Sequence, residues 1–186
     1  MRVFAALDVS AEVRQAVGAL VQELQTRVRG ARWIPAANLH LTLRFLGETD
    51  AKRVSEISEK LESITAQSPP FRLEFRGVGF FPSPRRPRIL CAIVARPPRE
   101  LLHLHQQTEA MAVAQGFPSE PRTFSPHLTF ARLQKPAGEL RKIETELEDR
   151  HLGVTPVEEV ILFQSMLDAN GAQYQVLGRF PLGGAG

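Results

Sequence analysis

The stretches HLTLRFLGE at 40–48 and SPHLTFAR at 125–132 carry the tripeptide His-Leu-Thr twice, 87 residues apart. Both stretches alternate apolar and polar residues, as a half-buried β-strand does. Successive strand side chains point to opposite faces. His40 and Thr42 therefore share one face, with Leu41 and Leu43 behind them. His127 and Thr129 share a face likewise, backed by Leu128 and Phe130. Two of the five histidines in the chain open this tripeptide.

Working outward, residues 2–8 are apolar and read as a strand. Ser10 can cap a helix whose apolar face is Val13, Val17, Leu20, Leu24 and Val28, about five turns ended by Gly30. Pro35 and Asn38 mark a loop before the first His-Leu-Thr strand at 39–46. Asp50 caps a second helix with Val54, Ile57, Leu61 and Ile64 on one face, stopped by Pro69-Pro70. Residues 71–80 form a third strand with a bulge at Gly77. The order then recurs. A strand spans 88–95, and Pro97-Pro98 opens a helix whose face is Leu101, Leu104, Met111 and Val113 or Ala114, ended by Gly116. The second His-Leu-Thr strand spans 127–133. Pro136 and Gly138 precede a helix with Leu140, Ile143 and Leu147, and a strand follows over 157–167. The Asn170-Gly171 pair reads as a hairpin turn before a last strand over 172–180.

Shifted by 87 residues, the first half of this layout falls on the second. Identity across the shift is poor outside His-Leu-Thr, and the helical faces slip by about one residue, so this is likeness of layout rather than a clean repeat. The alternative is a coincidence of β-α-β-α spacing. The fold expected is α+β: a single bilobal domain over 1–186, with halves of about 1–84 and 85–186 related by a pseudo-twofold axis and antiparallel sheets lining a central cleft.

The 186 residues are 43% apolar and 23% charged, the balance of a folded globular chain. A net charge of +3 is compatible with an anionic partner without requiring one. The single cysteine, Cys91, excludes an internal disulfide framework and a Cys-rich zinc site. No apolar run reaches the ~18 residues of a membrane span. The opening MRVFAALDVS is too short in its apolar part, and interrupted by Asp8, to read as a signal peptide. The expectation is a cytoplasmic monomer.

A lone His-x-Thr in a strand is ordinarily a satisfied polar pair. Two copies facing each other across a cleft are suited to acid-base work. One imidazole, neutral, takes a proton from a nucleophile; the other, protonated, gives one to a leaving group. The two hydroxyls can donate to an anion held between them.

These motifs resemble the paired His-x-Thr-x motifs of the two-histidine phosphoesterase superfamily. RVFAALD at the start, Phe-Leu-Gly-Glu after the first motif and Pro-Arg-Ile-Leu at 87–90 resemble its bacterial branch, the LigT-like RNA 2′,3′-cyclic phosphodiesterases once called 2′-5′ RNA ligases. The resemblance spans nearly the whole chain. It implies metal-independent opening of an RNA 2′,3′-cyclic phosphate to a 2′-phosphate, with no cofactor. It implies His40 as proton donor, His127 as proton acceptor, and Thr42 and Thr129 as phosphate ligands. With a 5′-hydroxyl end the same chemistry leads to a 2′-5′ RNA linkage. A binding module without turnover, or an enzyme acting on existing 2′-5′ linkages, is the alternative reading.

The arginines near the motifs each admit two placements. Arg44 has the parity of His40 and Thr42, so it either reaches the cleft or stands at a solvated rim. Arg132 follows the second motif as it does in relatives, but parity sends it to the face opposite His127 unless a bulge intervenes. Phe45 could stack a base, yet its parity with Leu41 and Leu43 places it in the core. His103 and His105, two apart on a helix, do not share a face and make a poor metal pair. His151 is expected near a helix C-terminus at the surface. Pro84-Arg85-Arg86-Pro87-Arg88 is either a solvated linker or a basic loop that steers RNA phosphates. No Gly-rich phosphate loop is present. Cys91 is expected to be a buried small hydrophobe.

Overall fold

A computed structural model describes residues 1–168 and 171–183. Ser10 caps α1 (Ala11–Gln25), its hydroxyl accepting from the Val13 N–H at 3.2 Å. Asp50 caps α2 (Ala51–Ala66) through the Arg53 N–H at 2.8 Å. Each cap satisfies an amide that the helix leaves unpaired, an effect of about 1 kcal/mol. The expected apolar faces are buried: Val13, Val17, Leu20 and Leu24 on α1, Ile57 and Leu61 on α2. On α3 (Arg99–Ala114) Leu101, Leu104, Met111 and Ala112 are buried, while Val113 points outward, a correction of one residue to the expected face. The short α4 (Leu140–Glu146) buries Leu140 and Ile143.

Nine strands accompany the helices among the described residues: β1 (Arg2–Leu7), β2 (Arg29–Trp33), β3 (Leu41–Glu48), β4 (Phe71–Phe81), β5 (Ile89–Ala95), β6 (His127–Ala137), β7 (His151–Val157), β8 (Glu159–Asp168) and β9 (Gly171–Pro181). Two of them, β2 and β7, were not expected. α1 consequently stops at Gln25 rather than running on to Gly30, and Gly30 sits in β2 with φ +73°, where a Cβ would meet the Gln134 carbonyl oxygen at 2.3 Å. His151 opens β7 instead of closing a helix. β8 and β9 pair as a hairpin; the expected turn falls partly on Asn170, outside the described residues.

All pairings are antiparallel, and they make two sheets, ordered β3-β1-β8-β9 and β2-β6-β5-β4-β7. The 87-residue shift carries β1 onto β5, β3 onto β6 and β4 onto β8. Each sheet thus contains the same three-strand core, β3-β1-β8 or β6-β5-β4, and in each the third strand comes from the other half of the sequence. The helices follow. α2 and α3 cover the first sheet through β3, β8 and β9, whereas α1 and α4 cover the second through β7, β2 and β4. The fold is α+β with two antiparallel sheets lining a cleft, β3 of the first in contact with β6 of the second. Among the described residues no helix is long and apolar enough to cross a membrane.

Candidate active site

Both His-Leu-Thr strands carry a β-bulge at the same place. Along β3, Ala6 pairs with Thr42 and Ala5 with Arg44, so Leu43 is the extra residue. Along β6, Cys91 pairs with Thr129 and Leu90 with Ala131, so Phe130 is the extra residue. The burial patterns agree. In His40–Phe45 and in His127–Arg132 the succession is half-buried, buried, half-buried, buried, buried, exposed. Two consecutive inward residues reset the alternation, and everything after the bulge changes face.

This reset corrects the placement of Arg44 and Phe45 and supplies the bulge that Arg132 required. Arg44 does not reach the cleft. It is 6% exposed, its Nε 2.5 Å from Glu109 Oε2 on α3. Its guanidinium also donates to the carbonyls of Phe45 and Pro118, with Glu120 at 3.8 Å. Phe45 is not core: it is 59% exposed and turned to the cleft face. Arg132 is exposed and stands on the face of His127 and Thr129. Phe45 and Arg132 occupy equivalent positions under the 87-residue shift, so one device delivers an aromatic ring to one wall and a guanidinium to the other.

The histidines are held alike. His40 Nδ1 lies 2.8 Å from the Asn38 carbonyl oxygen, and His127 Nδ1 lies 2.7 Å from the Ser125 carbonyl oxygen. A carbonyl only accepts, so Nδ1 carries the hydrogen in each ring and Nε2 is left for chemistry. Asn38 is itself fixed, its Nδ2 donating to the Ala172 carbonyl at 2.8 Å. Thr42 and Thr129 are half-buried, and among the described residues neither hydroxyl is hydrogen-bonded to protein.

The two walls differ. Around His40 stand Phe4 at 4.9 Å, Tyr174 edge-on at 5.1 Å and Phe163 at 6.2 Å between ring centres, with Phe45 leaning on Phe4 at 5.7 Å. His127 stacks on Phe81 at 5.3 Å. Beyond it β2 sets Arg32 opposite Arg132. Burial lowers the pKa of His40 below its ordinary value; the Asn38 carbonyl and Asp8 oppose this, while Arg132 and Arg14 reinforce it. Burial raises the pKa of Tyr174, and the Arg132 charge opposes that rise. Phe4, Arg32, Phe81, Phe163 and Tyr174 were not singled out in the sequence.

The remaining candidates lie elsewhere. His105 stacks on Phe124 at 3.7 Å, and burial lowers its pKa. Cys91 is fully buried, its thiol 3.4 Å from the Gly79 carbonyl and its pKa pushed up to about 12 by desolvation, as expected of an inert core thiol. Among the described residues no three His, Cys, Asp or Glu side chains are grouped to hold a metal ion.

A cleft between two pseudo-symmetric sheets, each offering one oriented imidazole, is the architecture of a two-histidine phosphoesterase. The family model for LigT like phosphoesterases matches residues 7–91 and 93–174, and the chain belongs to that family. A relative from Archaeoglobus fulgidus named RNA 2′,3′-cyclic phosphodiesterase is 33% identical over 177 residues, covering 95% of this chain and 98% of its own. One of the same name from Aeropyrum pernix is 37% identical over 142 residues, 75% of this chain and 80% of its own. Among solved structures, a Thermus thermophilus protein superposes with a TM-score of 0.85 at 30% identity, covering 99% of both chains. E. coli LigT complexed with 3′-AMP superposes at 0.78 with 27% identity, covering 97% of both.

Proposed function

We propose that the protein hydrolyses RNA 2′,3′-cyclic phosphate ends to 2′-phosphates by acid-base catalysis between His40 and His127, without a metal ion. The observation that carries this reading is the matched pair of imidazoles, each oriented through Nδ1 by the carbonyl two residues before it. A binding module has no need of two such groups; a reaction that takes one proton and gives another does. The names of the relatives, and the 3′-AMP in E. coli LigT, agree with a nucleotide as substrate.

Water attacks phosphorus in line with the departing O3′. His127 Nε2 accepts the water proton, and His40 Nε2 protonates O3′ as its bond to phosphorus breaks. Thr42, Thr129 and Arg132 hold the non-bridging oxygens and stabilise the charge that grows there. The aromatic wall on the His40 side has room for the nucleoside. Phe45, with Phe4 beneath it, offers a surface on which a nucleobase can stack. With a 5′-hydroxyl in place of water, the same geometry forms a 2′-5′ phosphodiester. The test is turnover of a 2′,3′-cyclic mononucleotide in excess EDTA. Undiminished hydrolysis is expected; activity that disappears with chelator and returns with zinc or manganese would refute the mechanism.

The pH profile follows from the site. One imidazole must be neutral and the other protonated, so the rate passes through a bell whose two apparent pKa values belong to the pair. Burial lowers the His40 pKa in the free protein, so the acid form is lost early as pH rises. A bound phosphate anion favours the imidazolium and raises that pKa. The alkaline limb of kcat is therefore expected at higher pH than that of kcat/KM, since the two report bound and free enzyme. A rate rising steadily from about pH 5 to about pH 10 would contradict acid-base catalysis by a pair of imidazoles.

A further inference from the structure

The cleft face of the second sheet carries positive charge that no carboxylate among the described residues neutralises. β2 and β6 place Arg32 directly opposite Arg132, both exposed. Cross-strand neighbours have Cβ atoms about 5 Å apart, and like charges there repel. Some arginines of the chain meet carboxylates, Arg14 with Asp8, Arg27 with Glu146, Arg44 with Glu109 and Arg179 with Glu159. Arg32 and Arg132 have no such partner among the described residues. An arrangement of this kind is relieved by an anion lying between the two guanidiniums.

The charge continues beyond the pair. Arg132 pairs with Ile89, the first residue of β5, and the backbone of Arg88 is hydrogen-bonded to Phe81 and Leu133. The Pro-rich loop 82–88 therefore rises from the Arg132 end of the sheet. Arg85 and Arg86 are exposed on it and line a shallow depression together with Arg141 and Lys142. Glu139, the one carboxylate among its lining residues, lies 3.1 Å from Lys142 and leaves the arginines uncompensated. From Thr129 to Arg132 is three residues of strand, roughly 10 Å at strand rise. The loop lies further on, a reach that needs several nucleotides.

We propose that Arg32, continued by Arg85, Arg86 and Arg88, forms a track that leads away from Arg132 and holds the phosphates of single-stranded RNA upstream of the cyclic end, making an oligonucleotide rather than a cyclic mononucleotide the preferred substrate. The proposal rests on the function proposed above and names its substrate class. The track reads backbone charge, so it is indifferent to sequence and sensitive to salt.

The test compares kcat/KM for RNAs of one to six nucleotides, each with a 2′,3′-cyclic phosphate end, at several salt concentrations. In the parent protein kcat/KM should rise roughly tenfold or more with length before levelling, and its salt dependence should steepen by about 0.7 in log–log slope for each phosphate held. The double variant Arg85→Ala, Arg86→Ala alters an exposed loop outside the cleft. It should flatten the rise and lower the slope for long substrates by about 1.4, the two lost contacts. Length-independent kcat/KM in the parent would overturn the track, as would a double variant that keeps the full length and salt dependence. If no cyclic phosphate is turned over at all, the proposed function fails instead. Anisotropy of a labelled hexanucleotide ending in a plain 3′-phosphate then still reads the track: salt-sensitive binding weakened by the double variant supports it, and equal binding by both proteins rejects it.

Discussion

Replacing His127 by alanine is expected to slow hydrolysis of a natural cyclic phosphate by roughly two to four orders of magnitude, and His40→Ala by a similar factor, the usual range for a positioned general base or acid. The two variants should part company when the leaving group is changed. A cyclic phosphate whose departing oxygen is a good phenolate scarcely needs a proton donor. His40→Ala should then recover much of its rate, while His127→Ala should stay slow because water still needs a base. Both rings are half-buried and packed on aromatic neighbours, so far-UV circular dichroism and thermal unfolding must show folded variants first. Rescue of His127→Ala alone, or equal rescue of both, would reverse or dissolve the assignment of roles. Full activity of either variant on the natural substrate would remove the histidines from the chemistry.

Arg44→Ala is expected to act on stability rather than on substrate binding. Arg44 is buried beside Glu109 and donates to two backbone carbonyls that join β3 to the segment after α3. Breaking a buried ion pair by removing one partner costs about 3–5 kcal/mol, because the other charge is left without compensation. Glu109 keeps some contact with water, which places the expected loss nearer 2–3 kcal/mol. For a chain of this size that is a fall of about 5–10 °C in Tm. Thermal unfolding beside steady-state kinetics decides the matter. An unchanged Tm together with a raised KM would return Arg44 to the phosphate, as strand parity alone had it.

That parity error shows where one sequence stops being informative. The helices were readable because caps and faces are local: Ser10, Asp50 and the buried stripe on each helix act within a few residues. The pairing of His40 with Thr42 and of His127 with Thr129 was readable because both pairs precede the bulge. The bulge has no residue signature here. Leu43-Arg44 and Phe130-Ala131 contain no glycine, and the extra residue is set by pairing with β1 and β5. Whatever follows it, Arg44, Phe45 and Arg132, therefore could not be assigned to a face from alternation. The two unexpected strands have a common cause. β2 and β7 are edge strands, paired on one side only. An edge tolerates Gly30 and the arginines of β2, and Gly153 and Pro156 of β7, all of which weaken a strand pattern. Arg32 was missed with the strand that carries it.

The exchange of β4 and β8 between the sheets was equally hidden. The 87-residue shift is visible in the order of elements, but either sheet could have been built from a single half. Each half contributes two strands to the other sheet, β2 and β4 from the first and β8 and β9 from the second, and each sheet is covered by helices from both halves. Both walls of the cleft therefore contain strands from both halves of the chain.

Hydrolysis of an RNA with a 2′,3′-cyclic phosphate end in 18O-labelled water with excess EDTA, its product read by 31P NMR and mass spectrometry, tests the mechanism most directly. Attack of water on phosphorus with departure of O3′ predicts a single 2′-phosphate carrying one 18O on phosphorus. A 3′-phosphate, label in the ribose, or turnover only after a divalent metal is restored would contradict it.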